Sequence, residues 1–598
     1  MKGTKRTSIW RFTRAFWYFF KHYSFTAIVV YAVLIPTFSW LGAAILRWSN
    51  IAYLSYTNFG AVVVAHPGAM ASLLLLLLVI LVGIYLQFAY LLLMVAYRRK
   101  NQRPTIRQLV SELWRRLPRL SLGTFGFFVL YFILIVPFGG SFIRTPLLAK
   151  VQIPAFILEF ITTKPLLLAA LILVYAFGYY FGLRLLVVIP LLMFKRNSVK
   201  QAVKESWRQT KGSFWWITLR IIGIIVSAAV LYLVLFMGFY GAQTWFDQQN
   251  HITALTAAIV NFNLLSLLTY TVSILTTVWV LDLSLQVMQR YDVGALEQLP
   301  DLPHIIAKSW WRVSIFVAFV VVAVVFAGYG YSYFDGLLEV NPQTLSHRGV
   351  NDGNGVQNTI PALTKTHRDH PKYVEMDIRE TKDHHFVAMH DDNLINLAGK
   401  NEKVDQQTLV HLTATTIHEN GYSTKIDSFD QYLKAAHAMH QKLLVEIKID
   451  SDQDRKALVN RFIDRYADTL LTHHDIIHTL DYGIVEQLKR ERPALTVGYI
   501  LPYNFVGVPR TRANFFTMEY STLNDRFVSA AHRDHKRVFA WTVNDEDDMD
   551  QMMRLDVDGI ITDQLSTLKS EISQQKRDHN YADQLLKYGT EVLYQQPR

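Results

Sequence analysis

The sequence predicts two parts of different fold class, an α-helical transmembrane domain followed by an α/β TIM barrel. Long apolar runs fill the first part, and short apolar strands alternate with polar, helix-like segments in the second. The charge also changes sign: residues 1–340 hold 29 Lys and Arg against 10 Asp and Glu, a net of +19, and residues 341–598 hold 31 against 38, a net of −7. We therefore predict a membrane domain at 1–340, a barrel at 341–570 and a polar C-terminal tail at 571–598.

The length and composition exclude several alternatives. A chain of 598 residues is too long for one hydrophobic core, so at least two domains are expected. The pI near 9.4 does not indicate nucleic acid, because the excess of positive charge lies in the apolar half. The sequence contains no cysteine, which excludes disulfides and thiolate metal sites.

The membrane domain is predicted from apolar runs that reach the roughly 20 residues needed to cross a bilayer. Seven such runs lie near residues 25–46, 70–96, 122–140, 165–193, 214–241, 253–288 and 313–334. The sixth run is long enough for a tilted helix or for a helix followed by a re-entrant turn. We expect a multi-pass protein of the cell membrane whose first run is an anchor, because it has no cleavage-site signature.

The connecting segments predict the orientation. Lys and Arg are concentrated before the first run, between the second and third, and after the fourth, whereas the alternate segments carry few charges. The positive-inside rule therefore places the amino terminus in the cytoplasm, and seven spans then place the barrel outside the cell. This placement depends on parity, since a miscount of one span would put the barrel in the cytoplasm.

Two charged residues, Arg184 and Asp282, fall inside apolar runs. Charges within a membrane are candidates for functional sites. The sequence leaves three interpretations open: the two residues pair with each other, they bind a lipid headgroup, or they lie near an interface.

The barrel is predicted from eight candidate strands in about 255 residues, a suitable length for this fold. They are Thr344–Arg348, Tyr373–Arg379, Leu443–Lys448, Ile476–Leu480, Thr496–Leu501, Phe515–Met518, Val538–Val543 and Gly559–Thr562. An open, doubly wound sheet is the alternative. It is disfavoured because no glycine-rich dinucleotide-binding turn follows the first strand.

Charged and titratable residues form four clusters in this part of the chain, each on a segment that otherwise resembles a buried strand. The four clusters are His347-Arg348-Gly349, Glu375-x-Asp377, His390-Asp391 and Glu446-x-Lys448. An unpaired buried charge is costly, so a strand interior does not carry such residues for packing alone. Because side chains alternate along a strand, both members of each spaced pair point the same way, and we expect them to converge at the carboxyl mouth of the barrel.

These residue types indicate phosphoryl chemistry. The carboxylates of Glu375, Asp377 and Glu446 make an oxygen-rich site suited to one divalent cation, Ca²⁺ or Mg²⁺. His347 and His390 can exchange protons near neutral pH. The positive charges of Arg348 and Lys448 can bind a phosphate oxyanion. The set as a whole predicts cleavage of a phosphodiester.

The motifs resemble those of the glycerophosphodiester phosphodiesterases, a family of TIM barrels, over about residues 343–570. That family shows His-Arg-Gly, Glu-Asn-Thr, Glu-x-Asp, His-Asp and Glu-x-Lys in this order. The corresponding residues here are Ser346–Gly349, Gln357–Thr359, Val374–Asp377, Met389–Asp391 and Val445–Lys448, and Trp541–Asn544 and Asp558–Asp563 look like the family's last two strands. The first half resembles, less specifically, the multi-span domain fused to this enzyme in some Gram-positive bacteria.

The resemblance implies roles for individual residues. Glu375, Asp377 and Glu446 would bind the metal, and His347 and His390 would carry out acid–base chemistry while a glycerol hydroxyl attacks phosphorus to give a cyclic intermediate. Arg348 and Lys448 would contact the phosphate. The candidate substrate contacts are Arg348, Lys448, Trp541 and Asn544, although Trp541 fits a packing role at the barrel mouth equally well.

One departure from the family pattern lies beside the first strand. The Glu of the usual Glu-Asn-Thr motif is Gln357 here, which removes one negative charge. All three implied metal-ligand positions are retained, so we expect an altered fit of the substrate more than a loss of activity.

Three hypotheses about function follow. The first is metal-dependent hydrolysis of glycerophosphodiesters to glycerol 3-phosphate and an alcohol, acting on deacylated phospholipids or on polyglycerolphosphate polymers such as teichoic acids. The second is a lysophospholipase D that acts on membrane lipid. The third is a lipid-binding sensor or transport protein without catalysis. The expected partners are a glycerophosphodiester or lipid-linked substrate and membrane lipids, with no nucleic acid and an unknown oligomeric state.

Overall fold

The structure is a computed structural model, in which the helical first half leads into a barrel. It describes residues 2–55, 58–116, 122–135, 153–195, 198–291, 296–297, 299–303, 310–334, 341–450, 453–504, 506–575 and 580–594. All statements below concern these residues.

Helices make up nearly all of the described first half. They are α1 (Lys2–Ile28), which continues through a π-helical turn (Val29–Leu34) into α2 (Ile35–Trp48), then α3 (Phe59–Ala65), α4 (Pro67–Arg99), α5 (Ile106–Arg116), α6 (Leu122–Ile135), α7 (Ala155–Thr162), α8 (Pro165–Arg184), α9 (Val188–Phe194), α10 (Val199–Lys211), α11 (Phe214–Phe246), α12 (His251–Tyr291) and α13 (Trp310–Phe334). The predicted sixth run is one continuous helix of 41 residues, α12, which agrees with the first of its two alternatives, a long helix, and excludes the re-entrant turn.

Five helical segments in the described residues are long and apolar enough to cross a membrane. They are Ala15–Trp48, Pro67–Arg99, Pro165–Phe194, Phe214–Phe246 and His251–Tyr291, and they contain five of the seven predicted runs. The third run, 122–140, extends beyond the described residues. The seventh lies in α13, whose apolar part Val320–Phe334 is shorter than the other five segments. The first half is therefore a transmembrane helical domain, and the count of seven stays a prediction.

Polar side chains within this domain have specific partners. The Asp282 carboxylate accepts a hydrogen bond from Nη1 of Arg99 at 2.6 Å. The Arg184 guanidinium is buried and lies 4.4 Å from the ring centroid of Trp207. Of the sequence interpretations, pairing of Arg184 with Asp282 is therefore wrong. Asn261, in α12, donates to Oε1 of Gln243 at 2.8 Å, which satisfies a buried amide between two spans.

The second half is an eight-stranded parallel barrel. Its strands are β1 (Gln343–Ser346), β2 (Tyr373–Glu380), β3 (Phe386–Ala388), β4 (Thr416–Glu419), β5 (Tyr422–Lys425), β6 (Leu443–Ile447), β7 (Ile476–Thr479), β8 (Val497–Leu501), β9 (Phe515–Glu519), β10 (Arg537–Trp541) and β11 (Gly559–Thr562). The barrel closes because β1 pairs in parallel with both β11 and β2. This confirms the predicted fold class and excludes the open sheet. β3 adds to β2 in the antiparallel direction, and β4 and β5 form a separate hairpin.

Helices surround the barrel at most positions. They are α14 (Ile360–Thr366), α15 (Ile395–Ala398), α16 (Leu409–Ala414), α17 (Phe429–Ala438), α18 (Arg455–His473), α19 (Tyr482–Glu491), α20 (Asp525–Arg533), α21 (Glu546–Arg554), α22 (Leu565–Gln575) and α23 (Tyr581–Tyr594). The described residues between β8 and β9 contain no helix. Tyr53, from the loop after α2, packs there, with its ring 5.1 Å from those of Tyr482 and Tyr499. The membrane domain thus covers part of the outer face of the barrel.

The end of the chain returns to the membrane domain. α23 lies in the segment that we expected to be a polar tail, but Tyr581 and Leu585 are buried in a cluster with Phe262 and Phe334. The amide of Ala582 also donates to the Asp247 carboxylate at 2.8 Å. The apolar face of α23 thus explains why this segment packs against the spans and does not remain exposed.

Candidate active site

The barrel interior is divided into an apolar floor and a polar layer above it. The floor consists of Leu345, Tyr373, Leu444, Ile476, Phe515, Phe539 and Ile561. Two residues further along the same strands stand His347, Glu375, Glu446, His478, Thr517, Trp541 and Asp563. Because side chains repeat every second residue along a strand, the sequence places this polar layer at the carboxyl end of the barrel.

Two glycines make the floor possible. A Cβ at Gly498 would overlap the Phe515 ring, and one at Gly559 would lie 2.8 Å from Leu345. Two of the aromatic rings of the floor, those of Phe515 and Phe539, have centroids 4.8 Å apart. This packed floor closes the barrel below the polar layer, so the polar groups are accessible only from the mouth.

Three polar side chains form a group that can hold a cation. Ligand atoms of Glu375, Glu446 and His478 all lie within 4.8 Å of one another, and all three residues are buried. Glu446 and His478 are partners in the register of β6 and β7. Three buried ligands, two of them acidic, fit a divalent cation.

His478 is oriented toward the two carboxylates. Its Nδ1 lies 3.1 Å from Oγ1 of Thr517, and its Nε2 lies 3.7 Å from Oε1 of Glu375. Within the described part of the chain, this buried Nε2 has no hydrogen-bond partner. With Nδ1–H donating to Thr517, Nε2 carries the lone pair and is available to a metal ion.

Asp377 is arranged differently from the other two acidic residues of the predicted set. It accepts a hydrogen bond from Nδ2 of Asn358 at 2.8 Å, and its Oδ1 lies 3.1 Å from Nζ of Lys448. The same Nζ lies 2.6 Å from Oε1 of Glu446. Lys448 therefore supplies a positive charge between Asp377 and Glu446. Despite burial, that ammonium and the charges of His390 and Arg348 hold the pKa of Asp377 well below its ordinary value.

His347 follows β1 and is held by a carboxylate at the end of β11. Nδ1 of His347 lies 2.8 Å from Oδ1 of Asp563, and Nδ2 of Asn544 donates to Oδ2 of the same carboxylate at 2.9 Å. Burial alone would lower the pKa of His347, but Asp563 outweighs it, and the pKa is raised. Burial also opposes the charge of Asp563, yet the imidazole lowers its pKa to about 2.

His390 also pairs with an aspartate, but its pKa is shifted in the opposite direction. Its Nδ1 lies 2.8 Å from Oδ1 of Asp391, whose Oδ2 accepts from Asn396 at 2.7 Å. Burial is the largest cause of the lowered pKa of His390, and the positive charge of Lys448 adds to it. The two histidines therefore differ in protonation tendency: His347 favours the charged form and His390 the neutral form.

Arg348 links the group that can hold a cation (Glu375, Glu446 and His478) to the loop after β1. It adopts a left-handed backbone conformation, with φ of 52°, and its amide donates to Oε2 of Glu375 at 2.8 Å. Its Nη1 donates to Oε1 of Gln357 at 2.8 Å, and Nε2 of Gln357 donates to Oε1 of Glu419 at 2.7 Å. Gln357 thus accepts from a cation and donates to a carboxylate, which a glutamate could not do.

A helix of the membrane domain reaches the mouth of the barrel. We call α7 (Ala155–Thr162) the rim helix. The amide of Ala155 donates to Oγ of Ser521 at 3.1 Å, and the Phe156 ring lies 5.8 Å from that of Trp541. Trp541 therefore packs at the mouth, in agreement with one of its two predicted roles.

Four of the predicted site residues, His347, Glu375, Glu446 and Trp541, lie in this layer, and Arg348, Asp377 and Lys448 lie next to it. The geometry adds three residues that the sequence reasoning missed. Asn544 donates to the carboxylate of Asp563 and so orients it. The missed residues are His478, Asp563 and Glu419. His478 and Asp563 each stand two residues after an apolar floor position, but this spacing alone does not distinguish a functional residue from a buried one. Glu419 lies on a hairpin outside the barrel.

Comparison with protein families gives two matches that together cover most of the chain. Residues 5–331 match the model described as the membrane domain of glycerophosphoryl diester phosphodiesterase. Residues 347–567 match the model of the glycerophosphoryl diester phosphodiesterase family.

Individual relatives match the barrel. The chain is 24% identical over 231 residues to YhdW of Bacillus subtilis, covering 37% of this chain and 93% of that protein. It is 24% identical over 233 residues to a glycerophosphodiester phosphodiesterase of Caldanaerobacter subterraneus, covering 38% and 95%. A phosphodiesterase structure from Oleispira antarctica, in complex with sn-glycerol-3-phosphate, covers 39% of this chain and 97% of that one, at 19% identity and a TM-score of 0.34.

Proposed function

This chain belongs to the glycerophosphoryl diester phosphodiesterase family, and on that premise we propose that its barrel hydrolyses glycerophosphodiesters to glycerol 3-phosphate and an alcohol, using a divalent cation, at the outer surface of the cell membrane. One observation carries this proposal: a group of side chains that can hold a cation lies at the mouth of the barrel. Beside it lie two histidines whose pKa values are shifted in opposite directions, and two cationic side chains.

The cation would be held by Glu375, Glu446 and His478, with Asp377 as a further candidate ligand. The carboxylates suit Ca²⁺ or Mg²⁺, whereas coordination by an imidazole favours a divalent transition-metal ion over Ca²⁺. A bound cation would neutralise charge on the phosphate oxygens. Asp377 is paired with Lys448, so its coordination requires that Lys448 turn toward the phosphate.

The histidines divide the proton transfers between them. The neutral form favoured at His390 suits the base that takes the proton from the attacking glycerol hydroxyl. The charged form favoured at His347 suits the acid that protonates the leaving alcohol. The roles reverse when water opens the cyclic phosphate, because the same groups then return the protons. In sum, one water is added, the bond between phosphorus and the alcohol oxygen breaks, and a phosphate monoester remains.

The cationic side chains would bind the phosphate. Arg348 presents a planar set of donors suited to two phosphate oxygens. Burial opposes the charge of Lys448, but Asp377 and Glu446 raise its pKa, so it remains an ammonium ion throughout the physiological range. Asn544 would act as a positioning residue through Asp563 and not as a substrate contact.

The outward orientation is supported by the distribution of charge over the membrane domain. The segments that contact the barrel or the C-terminal helix, around Ala52, Ala155 and Asp247, carry few basic residues. Two of the Lys- and Arg-rich segments meet elsewhere: Arg116, in the first, donates to the carbonyl of Met193, next to the second. A basic face turned away from the barrel favours a cytoplasmic position for that face and an external barrel.

Purified full-length protein in lipid nanodiscs tests the proposal with glycerophosphoethanolamine as the substrate. We expect equal release of glycerol 3-phosphate and ethanolamine, lowered at least about 100-fold by His390→Gln. His411→Gln is the matched control, because His411 is half exposed and pairs with Glu402. Absence of hydrolysis with Mg²⁺, Mn²⁺ and Ca²⁺ would reject the enzyme and favour a lipid sensor.

A further inference from the structure

The rim helix belongs to the membrane domain but contacts the catalytic end of the barrel. The amide of Ala155 donates to Ser521, whose hydroxyl in turn donates to Oε2 of Glu519 at 2.7 Å. Glu519 ends β9, and Trp541, against which Phe156 packs, ends β10. The rim helix is thus attached to two adjacent strand ends at the mouth.

The next turn of the rim helix approaches the His347 dyad. Phe156, Glu159 and Phe160 are three and four residues apart and therefore share one face of the helix. Burial and the neighbouring Asp563 carboxylate together raise the pKa of Glu159. Asp563 is the group that holds His347, so this face borders the reacting groups and not a distant part of the barrel.

The rim helix also exposes a large amount of apolar surface. The exposed fractions are 42% for Ile153, 37% for Phe156, 37% for Ile157 and 58% for Phe160. A soluble enzyme rarely surrounds a site for a charged diester with such side chains, because a contiguous exposed apolar patch marks a binding or membrane surface.

This apolar surface continues into a membrane span. The rim helix ends at Thr162, and the span Pro165–Phe194 begins three residues later. Leu166, at the start of that span, is 82% exposed. Exposed apolar side chains therefore lie at the start of the span and along the rim helix, which leads to Trp541 at the mouth; Thr162, Thr163 and Lys164 separate the two stretches.

We propose that the rim helix and Trp541 form a subsite for the hydrocarbon chain of a lysophospholipid, whose phosphodiester lies in the barrel mouth while its chain remains in contact with the bilayer. The inference rests on the proposed function. A single-chain lipid is favoured over a diacyl lipid, because the attack on phosphorus needs a free glycerol hydroxyl next to the phosphoester.

The reaction would be the same hydrolysis on a larger substrate. The free glycerol hydroxyl attacks phosphorus, the bond to the headgroup oxygen breaks, and the headgroup leaves as an alcohol with the proton given by His347. Water then opens the cyclic phosphate. The products are a lysophosphatidic acid, which retains the acyl chain, and the free headgroup alcohol.

The test compares two substrates that differ only in the acyl chain. Full-length protein in nanodiscs is given glycerophosphoethanolamine or palmitoyl lysophosphatidylethanolamine, and ethanolamine release is measured as kcat/KM. The double variant Phe156→Ala/Phe160→Ala should lose about tenfold or more on the lysolipid and less than about twofold on the soluble diester. Retained turnover of the soluble diester also shows that the variant is folded.

Phe59→Ala is the control, because Phe59 begins α3 and is similarly exposed, at 45%. It should leave both substrates unchanged. A lysolipid series of increasing chain length gives a second measurement: kcat/KM should rise with chain length in the wild type and rise less in the double variant. Partition of the lipid into the nanodisc is the same for both proteins and cancels in this comparison.

The outcomes separate this inference from the proposed function. Equal losses on both substrates would mean that the rim helix only supports the barrel, and unchanged turnover of both would mean that it binds no chain. Either result overturns the inference while the diesterase stands. A wild-type protein inactive on both substrates would reject the proposed function and the subsite together.

Discussion

Asp563 and His347 lie at the ends of two strands that are adjacent in the barrel but 216 residues apart in the chain, and their side chains are 2.8 Å apart. The strands β11 and β1 pair in parallel register, which brings the first and last catalytic motifs to the same point of the mouth. The carboxylate fixes Nδ1 of His347 as the protonated nitrogen and leaves Nε2 for the substrate. Closure of the barrel therefore creates the dyad.

Removal of this carboxylate should change the pH profile. His390 must be neutral and His347 charged in the first step, so kcat/KM should rise with pH through the lowered pKa of His390 and fall through the raised pKa of His347. Asp563→Asn lowers the pKa of His347 and should shift the alkaline limb to lower pH. We expect kcat to fall about 10- to 100-fold.

Asp558→Asn is the matched control for that variant. Asp558 precedes β11 at the opposite end of the barrel and pairs with His532 at 2.9 Å. Asp558→Asn should leave both limbs of the pH profile of kcat/KM in place. An unchanged alkaline limb in Asp563→Asn would contradict the assignment of His347 as the acid.

Replacement of His478 tests whether the imidazole binds the cation. His478→Asn should weaken Mn²⁺ binding at least about tenfold and shift preference toward ions that favour oxygen ligands. The readout is the cation-dependent rise in melting temperature, together with the nitrogen coupling in the spin-echo spectrum of bound Mn²⁺. Loss of that coupling in the variant is expected, whereas a wild-type spectrum without nitrogen coupling would remove His478 from the ligand set.

The pair Gln357 and Glu419 explains the departure from the family motif. Gln357→Glu would bring two carboxylates together where the side-chain atoms are now 2.7 Å apart, and should destabilise the protein by about 1–3 kcal/mol. The double variant Gln357→Glu/Glu419→Gln restores one donor and one acceptor and should recover most of this loss. Free energies of unfolding of the wild type, the two single variants and the double variant check this recovery. Additive losses in the double variant would show that the contact has no energetic role.

The orientation can be measured with single cysteines, since the natural sequence contains none. Val410→Cys, on an exposed barrel position, should react with a membrane-impermeant maleimide in intact cells. Arg208→Cys, on the basic α10, should react only after lysis, and its side chain is 71% exposed. Reversal of these two results would place the barrel in the cytoplasm.

The sequence was sufficient for the barrel because apolar alternation and acidic pairs both follow the period of a strand. Glu375 and Asp377 are recognisable for that reason. His478 was not, because a lone histidine in Ile476–Thr479 resembles a buried strand residue, and only its register with Glu446 assigns it to the cation group. Charged strand residues are informative when two occur together, and ambiguous when one occurs alone.

Contacts between the two halves were beyond sequence reasoning. Phe156 and Trp541 are 385 residues apart, and nothing local to either residue indicates the other. The same holds for Tyr53 against β8, and for α23, which looks polar in composition yet buries Tyr581 against the spans. These contacts depend on how a membrane domain and a barrel meet, which is a property of their surfaces and not of a periodic pattern.

The most direct test of the account titrates a divalent cation into metal-stripped, full-length protein and measures release of glycerol 3-phosphate from glycerophosphoethanolamine. We expect no turnover in EDTA and a saturable recovery of turnover when cation is added. Glu446→Gln should need at least about tenfold more cation for the same turnover. Full turnover by the stripped wild type, or the same cation dependence in Glu446→Gln, would contradict the account.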